Sequence, residues 1–249
     1  MGAIRVGVIG AGGRMGREVV KAVESADDLE VVAALGRMDP LQSLIRAGTQ
    51  VAVELTHPDA VMDHLEFCVR AGIHSVVGTT GWTDERLDTL SGWLAGSPTT
   101  GVLVGPLSVG AMLTMRLAQY AARWFESVEV VEMHHPDKID APSGAAVRTA
   151  RLIAEARREA GSAAPPDATS TALAGARGAN VEGVPVHAVR ARGLVARQEV
   201  IFGGTGETLT LRHDSMDRAC FTSGFLLGVR RVGSVPGLTV GLESFMDWD

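Results

Sequence analysis

Cysteine is scarce in this chain: Cys68 and Cys220 are the only two in 249 residues. They lie far apart and fit no metal-ligand spacing, so both read as reduced thiols and no metal is expected. Positive charge is short as well. The 23 Lys and Arg against 29 Asp and Glu leave a net charge of −6, which argues against non-specific nucleic-acid or anionic-membrane binding but allows a local basic pocket. No apolar run approaches the length of a membrane span. Residues 1–10 lead into a strand without a charged leader and long apolar segment. The expectation is a cytoplasmic protein with neither membrane nor nucleic acid as a partner. What remains is ordinary for a globular protein, with 46% hydrophobic and 21% charged residues. The chain is long enough for one large domain or two small ones.

The densest chemistry lies in residues 132–144, Glu-Met-His-His-Pro-Asp-Lys-Ile-Asp-Ala-Pro-Ser-Gly. Pro136 and Pro142 forbid a continuous helix, so the stretch is expected to be a loop. Ser143 stands where the N-cap of a following helix, 145–159, belongs. A helix start facing a loop of histidines and a lysine is a seat for a carboxylate or phosphate.

Ahead of it the chain alternates strand and helix. An apolar strand over 4–9 runs into Gly10, Gly13 and Gly16, then into an amphipathic helix. Strand, glycine turn and helix in that order make a dinucleotide-binding motif, although a tight turn also needs glycine for steric reasons alone. The next strand, 29–35, ends without the acid that commonly accepts from an NAD ribose, about 20 residues past the glycines. Arg37 stands there instead, to be read either as a partner for a 2′-phosphate or as a solvated loop cation. NADPH is favoured, and Asp39 keeps NADH open. Strands at 51–55, 74–77 and 102–104 and helices at 60–71 and 83–94 follow. His57 is expected to make a loop hydrogen bond, and Gly78-Thr79-Thr80-Gly81 lies where a nicotinamide could rest against backbone. A helix over 111–125 closes this half.

Beyond 160 the pattern changes. Residues 160–180 read as a surface loop, a lid or an oligomer contact. Strands at 128–133, 184–190, 195–202 and 207–213, with glycine turns at Gly193 and at Gly203-Gly204, suggest a second, largely open sheet. A helix at 219–232 and a strand at 238–242 are candidates to rejoin the first half. The fold expected is α/β: a Rossmann-like dinucleotide-binding domain over 1–108 and 218–249, with an α+β domain with an open mixed sheet over 109–217 for substrate and oligomer contacts.

With these segments in view, the chain resembles the 4-hydroxy-tetrahydrodipicolinate (dihydrodipicolinate) reductases of bacterial lysine and diaminopimelate biosynthesis. The resemblance covers nearly the full length. It rests on Gly-x-x-Gly-Arg-Met-Gly at 10–16, Gly-Thr-Thr-Gly at 78–81, His-His-x-x-Lys-x-Asp-Ala-Pro-Ser-Gly at 134–144, and the segments 186–190 and 206–207. It implies an NAD(P)H-dependent reductase in which His134 is the general acid/base and Lys138 the proton donor. His135, Ser143, Gly144 and Ala145 would then face a small cyclic dicarboxylate. Gly10, Gly13, Arg14, Met15, Gly16, Arg37, Gly78, Thr79, Thr80, Gly105 and Pro106 would hold the cofactor, and the family is typically a homotetramer. Two positions depart from the family pattern. Ala145 replaces a threonine that helps to hold a carboxylate, and the segment 105–110 lacks an asparagine and is one residue short. A paralogue acting on another cyclic imine or carboxylated ring is the alternative these departures raise.

Overall fold

The computed structural model describes residues 2–246. It divides into two compact units, Met1–Val109 with Arg218–Asp249, and Gly110–Asp217. Residues 1 and 247–249, which the sequence assigns to the first domain, lie outside the described residues.

The first unit opens with β1 (Ile4–Ile9), α1 (Arg14–Glu24), β2 (Leu29–Leu35), α2 (Gln42–Arg46), β3 (Val51–Glu54), α3 (Val61–Arg70), β4 (His74–Val77), α4 (Asp84–Ala95) and β5 (Gly101–Val104). Then come α5 (Val109–Ala121), β6 (Ser127–His134), α6 (Gly144–Glu159), β7 (Ala179–Val181), β8 (Val184–Arg190), β9 (Ala196–Gly204) and β10 (Glu207–Ser215). The chain returns to the first unit with α7 (Thr222–Arg231) and β11 (Gly237–Val240).

The first unit is a six-stranded parallel sheet, ordered β11-β5-β4-β3-β1-β2. Every residue of β3 and β5 is buried, as expected for strands covered on both faces. The alternation shows which helices do the covering. Val77, Val102 and Val104 pack with Leu65 and Val69 of α3 and Leu90 and Leu94 of α4. Val76 and Leu103, of opposite parity, lie against Gly228 of α7, where an added Cβ would meet them at 3.1 and 2.7 Å. This is a doubly wound, Rossmann-like unit.

The second unit is a five-stranded mixed sheet, ordered β10-β9-β6-β8-β7, in which only β6 and β8 run parallel. Val128 and Val130 of β6, Val184 and Val186 of β8, and Val200 and Phe202 of β9 form one apolar core with Ala146, Ala150, Ile153 and Ala156 of α6. Arg157, 7% exposed, fastens the far end of α6. It donates to the carbonyls of Phe125 (2.6 Å), Ala163 (2.8 Å), Glu126 (2.9 Å) and Ala122 (3.4 Å). Arg157→Met keeps the aliphatic stem and orphans these acceptors. It is expected to cost about 2–4 kcal/mol, read as a lower urea midpoint.

Several boundaries differ from the sequence expectation. Two sequence expectations overlap at 132–133, and the strand over 128–133 holds: β6 runs on through His134, so the loop starts at His135 and not at Glu132, because the prolines forbid helix only from Pro136 onward and leave an extended strand free to continue. Gly203 and Gly204 lie inside β9; the turn is Thr205-Gly206, with Gly206 at φ 80°, where glycine meets no steric penalty. The helix expected over 111–125 starts at Val109 and ends at Ala121. The 219–232 segment enters through a 3₁₀ turn, Arg218–Phe221, before α7. Neither α2 nor β7 is expected from the sequence; each is too short to show a period.

Candidate active site

The alternation of β6 carries chemistry onto the core face. Val128, Val130, Glu132 and His134 share one parity, and on the parallel neighbour β8 so do Val184, Val186, Ala188 and Arg190, with His134 opposite Arg190. That face turns toward α6, since Gln198 of β9, paired with Glu132, donates to Thr149 Oγ1 of α6 at 2.8 Å. The strand therefore places a carboxylate where an apolar residue would continue the core.

The Glu132 side chain is fully buried and takes four hydrogen bonds. Oε1 accepts from Arg190 Nη2 at 2.7 Å and from the Ser143 N–H at 3.0 Å. Oε2 lies 2.6 Å from His134 Nδ1 and accepts from Arg190 Nη1 at 2.8 Å. Burial pushes the Glu132 carboxyl up, but the donors from His134, Arg190 and Ser143 outweigh it and hold it at about 2. An ionised carboxylate only accepts, so the proton of this contact sits on His134 Nδ1 and leaves Nε2 to give or take a proton. Arg190 also donates to the Asp140 carbonyl at 2.8 Å, pinning the loop after β6. In that loop Lys138 Nζ donates to Asp140 Oδ1 at 2.6 Å. Burial raises the Asp140 carboxyl, while Lys138 and the backbone N–H groups of Asp140 and Gly144 bring it below the usual range.

The sign of the Glu132 shift sets a pH dependence. Its folded pKa lies below the unfolded value, so it stabilises the fold above about pH 4.5 and that contribution fades as pH falls toward 2. Wild type is expected to lose about 2 kcal/mol more than Glu132→Gln between pH 7 and pH 3, measured as urea midpoints at pH 7, 4.5 and 3.

Ser143 is the N-cap of α6, its Oγ accepting the Ala146 N–H at 3.3 Å. The N–H groups of the first helical turn have no partner within the helix, and that of Gly144 is turned to the Asp140 carboxylate. A cation, an imidazole edge and a helix start thus converge near Ser143, a set suited to a small carboxylate.

The first unit carries the second candidate site. Gly10 has φ 86° and its N–H donates to the Leu35 carbonyl at 2.8 Å, so β1 turns sharply beside the end of β2. A Cβ on Gly16 would overlap the Gly10 carbonyl, and one on Gly13 would come within 3.1 Å of the same oxygen. Gly12, Gly13 and Arg14 are exposed at the start of α1. Only a glycine turn allows this close approach, and it ends at a helix start whose first N–H groups lack a partner within the helix. Arg37 is exposed. Asp39 Oδ2 accepts the Gly36 N–H at 2.7 Å, so the acid folds onto its own loop. Thr79 is buried with its hydroxyl donating to Glu54, whereas Thr80 is exposed.

Comparison with known proteins gives this geometry a family. The model described as dihydrodipicolinate reductase, N-terminus, matches residues 4–105, and that of the C-terminus matches 110–246. The chain belongs to the dihydrodipicolinate reductase family. It is 66% identical over 248 residues to a 4-hydroxy-tetrahydrodipicolinate reductase of Streptomyces avermitilis, covering 99% of each chain. To the protein of that name from Nocardia farcinica it is 61% identical, covering 98% of this chain and 99% of the relative. Among solved structures it resembles a dipicolinate-bound dihydrodipicolinate reductase from Paenisporosarcina sp. TG-14, with a TM-score of 0.84, 37% identity, and 98% and 100% of the two chains covered. None of these likenesses favours a paralogue of different substrate.

Within this dihydrodipicolinate reductase fold, His134 and Ser143 gather around Glu132, Lys138 is tied to Asp140 in the following loop, and His135 follows at the strand end, half-buried. Gly10, Gly13, Arg14, Met15 and Gly16 share the turn into α1. Gly78 follows β4, its N–H donating to the Glu54 carbonyl at 2.9 Å. Gly105 follows β5, its N–H donating to the Val77 carbonyl at 3.1 Å, and the half-buried Pro106 comes next. His57 pairs locally with Asp59 at 3.2 Å and accepts the Asp59 N–H. The sequence reading assigned no role to Glu132, Arg190 or Asp140. For Glu132 and Arg190 the available signal was strand parity, since both occupy inward positions of Val-rich strands. Among the described residues, no group of three or more His, Cys, Asp or Glu could hold a metal ion. No described helix is long and apolar enough to cross a membrane.

Proposed function

We propose that this protein reduces 4-hydroxy-tetrahydrodipicolinate, after loss of water from the ring, to tetrahydrodipicolinate with a nicotinamide dinucleotide. The observation that carries the reading is the Glu132–Arg190–His134 arrangement beside the α6 start, in a chain 66% identical to reductases of that name. The glycine turn fits the cofactor: Gly16 tolerates no Cβ, and the first N–H groups of α1, unpartnered within the helix, suit a pyrophosphate. Gly10, Gly13, Arg14, Met15 and Gly16 would hold the phosphates, and Gly78, Thr79, Thr80, Gly105 and Pro106 the nicotinamide end. The exposed Arg37 supports NADPH, and the engagement of Asp39 with Gly36 weakens the case for an NADH ribose contact. When bound, the cofactor supplies a hydride.

The chain's own residues bind the substrate and manage the proton. The substrate's carboxylates would be held by His135 and by the N–H groups of Gly144 and Ala145, the first of these exchanging the Asp140 carboxylate for the substrate's. Ala145 brings no hydroxyl, so its contribution is backbone alone. Glu132 fixes the His134 ring and its tautomer, which leaves Nε2 to exchange a proton with the ring. Lys138 is the second donor, and its ammonium offsets charge that develops as the ring accepts electrons. A homotetramer through the second unit and a cytoplasmic location follow from the family resemblance alone.

The test is oxidation of NADPH and NADH on addition of enzymatically generated 4-hydroxy-tetrahydrodipicolinate. Turnover with a preference for NADPH is expected. Folded protein that binds NADPH yet leaves it unoxidised, while turning over another cyclic imine, contradicts the reading.

A further inference from the structure

At the carboxyl edge of the parallel sheet sits an acid that the proposed chemistry does not use. Glu54, the last residue of β3, is 1% exposed. Its register partners on β1 and β4 are Ile9 and Val77, both apolar, so sheet packing by itself does not call for a carboxylate there. Burying one is costly unless its oxygens are paired. Here they are: Oε1 accepts from the Thr56 hydroxyl and lies 3.1 Å from His64 Nδ1, and Oε2 accepts from the Thr79 hydroxyl. Thr79 Oγ1 in turn accepts the Thr56 N–H at 2.9 Å. The other titratable group near the carboxylate is the Cys68 thiol of α3, pushed up to about 12 by burial.

The cluster clamps one residue from two sides. The Thr79 hydroxyl is turned inward to Glu54, while its carbonyl accepts from Trp82 Nε1 at 2.9 Å. Thr80 and Gly81, immediately after it, are exposed. Gly78 has no room for a side chain, since a Cβ there would meet the Phe225 ring at 2.5 Å and Leu55 Cδ2 at 2.7 Å. The strand-to-helix loop after β4 is therefore held from below and left bare above.

We propose that Glu54 is a positioning residue for the nicotinamide end of the cofactor: through Thr79 it fixes the backbone of residues 78–81 on which the ring rests. This rests on the cofactor reading given above. Glu54 touches neither cofactor nor substrate; a hydroxyl stands between.

The test compares two ligands of the full chain by calorimetry, NADPH and adenosine 2′,5′-bisphosphate, which lacks the nicotinamide half. Glu54→Gln is expected to raise the Kd of NADPH about tenfold and to leave that of the bisphosphate within about twofold, because only the loop after β4 is displaced. Thr79→Val breaks the same link while leaving the carboxylate to Thr56 and His64, and is expected to give the same split. Equal weakening of both ligands, or of neither, overturns the proposal. So does failure of both variants to fold, which would make the cluster a support of the sheet alone. Wild-type protein that binds no nicotinamide dinucleotide would instead sink the cofactor reading.

Discussion

Arg190→Leu is expected to destabilise the protein by about 3–5 kcal/mol and to reduce turnover by about 100-fold or more. The reason is the asymmetry of buried ion pairs. Glu132 has no exposure, and Arg190 supplies two of its four hydrogen bonds while being only 20% exposed itself. With the guanidinium gone, the carboxylate either keeps an uncompensated charge or takes up a proton. A protonated Glu132 no longer dictates which nitrogen of His134 carries hydrogen. Stability and activity should therefore fall together, and the loss of turnover should be partly regained by Arg190→Lys, which keeps the charge but not the fork. Urea unfolding and steady-state assays on both variants check this. Unchanged stability with Leu would mean that the Glu132–Arg190 contact contributes little.

Lys138→Ala and His134→Gln carry the second large expectation. Gln can still donate to Glu132 but exchanges no proton at the distal position. Its kcat is expected to fall about 10²–10⁴-fold, while NADPH affinity changes little. Lys138→Ala acts differently. It removes the cation proposed to face the substrate and leaves Asp140, 49% exposed, without its 2.6 Å partner. The bare carboxylate then faces a dianionic ring, so KM should rise alongside the loss in kcat. Stopped-flow or steady-state kinetics separate the two patterns. A kcat within about threefold of wild type for both variants would remove the proton-transfer assignment.

Much of the fold was legible because it is written locally. Short apolar runs, each followed by a glycine, placed β1, β2 and β4 to the residue, and Ser143 marked the start of α6. The glycine turn was equally visible, since its steric demand lies within seven residues. What escaped is non-local. Arg190 reaches Glu132 only because β8 runs parallel to β6 with His134 opposite Arg190, a register that links positions more than 50 residues apart. Glu132 lies inside the strand expected over 128–133, where its inward parity with Val128 and Val130 could have singled it out, but the loop reading of 132–144 drew attention to His134 and Lys138 instead. Asp39 shows the reach of local contacts. Sequence proximity made it a candidate ribose ligand, and its carboxylate closes on the Gly36 N–H three residues back, a contact that only coordinates reveal. The departure at Ala145 weighs less than it did on sequence alone, because a helix start offers its N–H groups whatever side chain they carry.

The most direct measurement is a crystal structure of the protein with pyridine-2,6-dicarboxylate and NADPH. The account predicts one carboxylate about 3 Å from the Gly144 and Ala145 N–H groups, with His134 Nδ1 still on Glu132 and Nε2 turned to the ring. A dicarboxylate bound away from the start of α6, or a His134 ring flipped off Glu132, would contradict it.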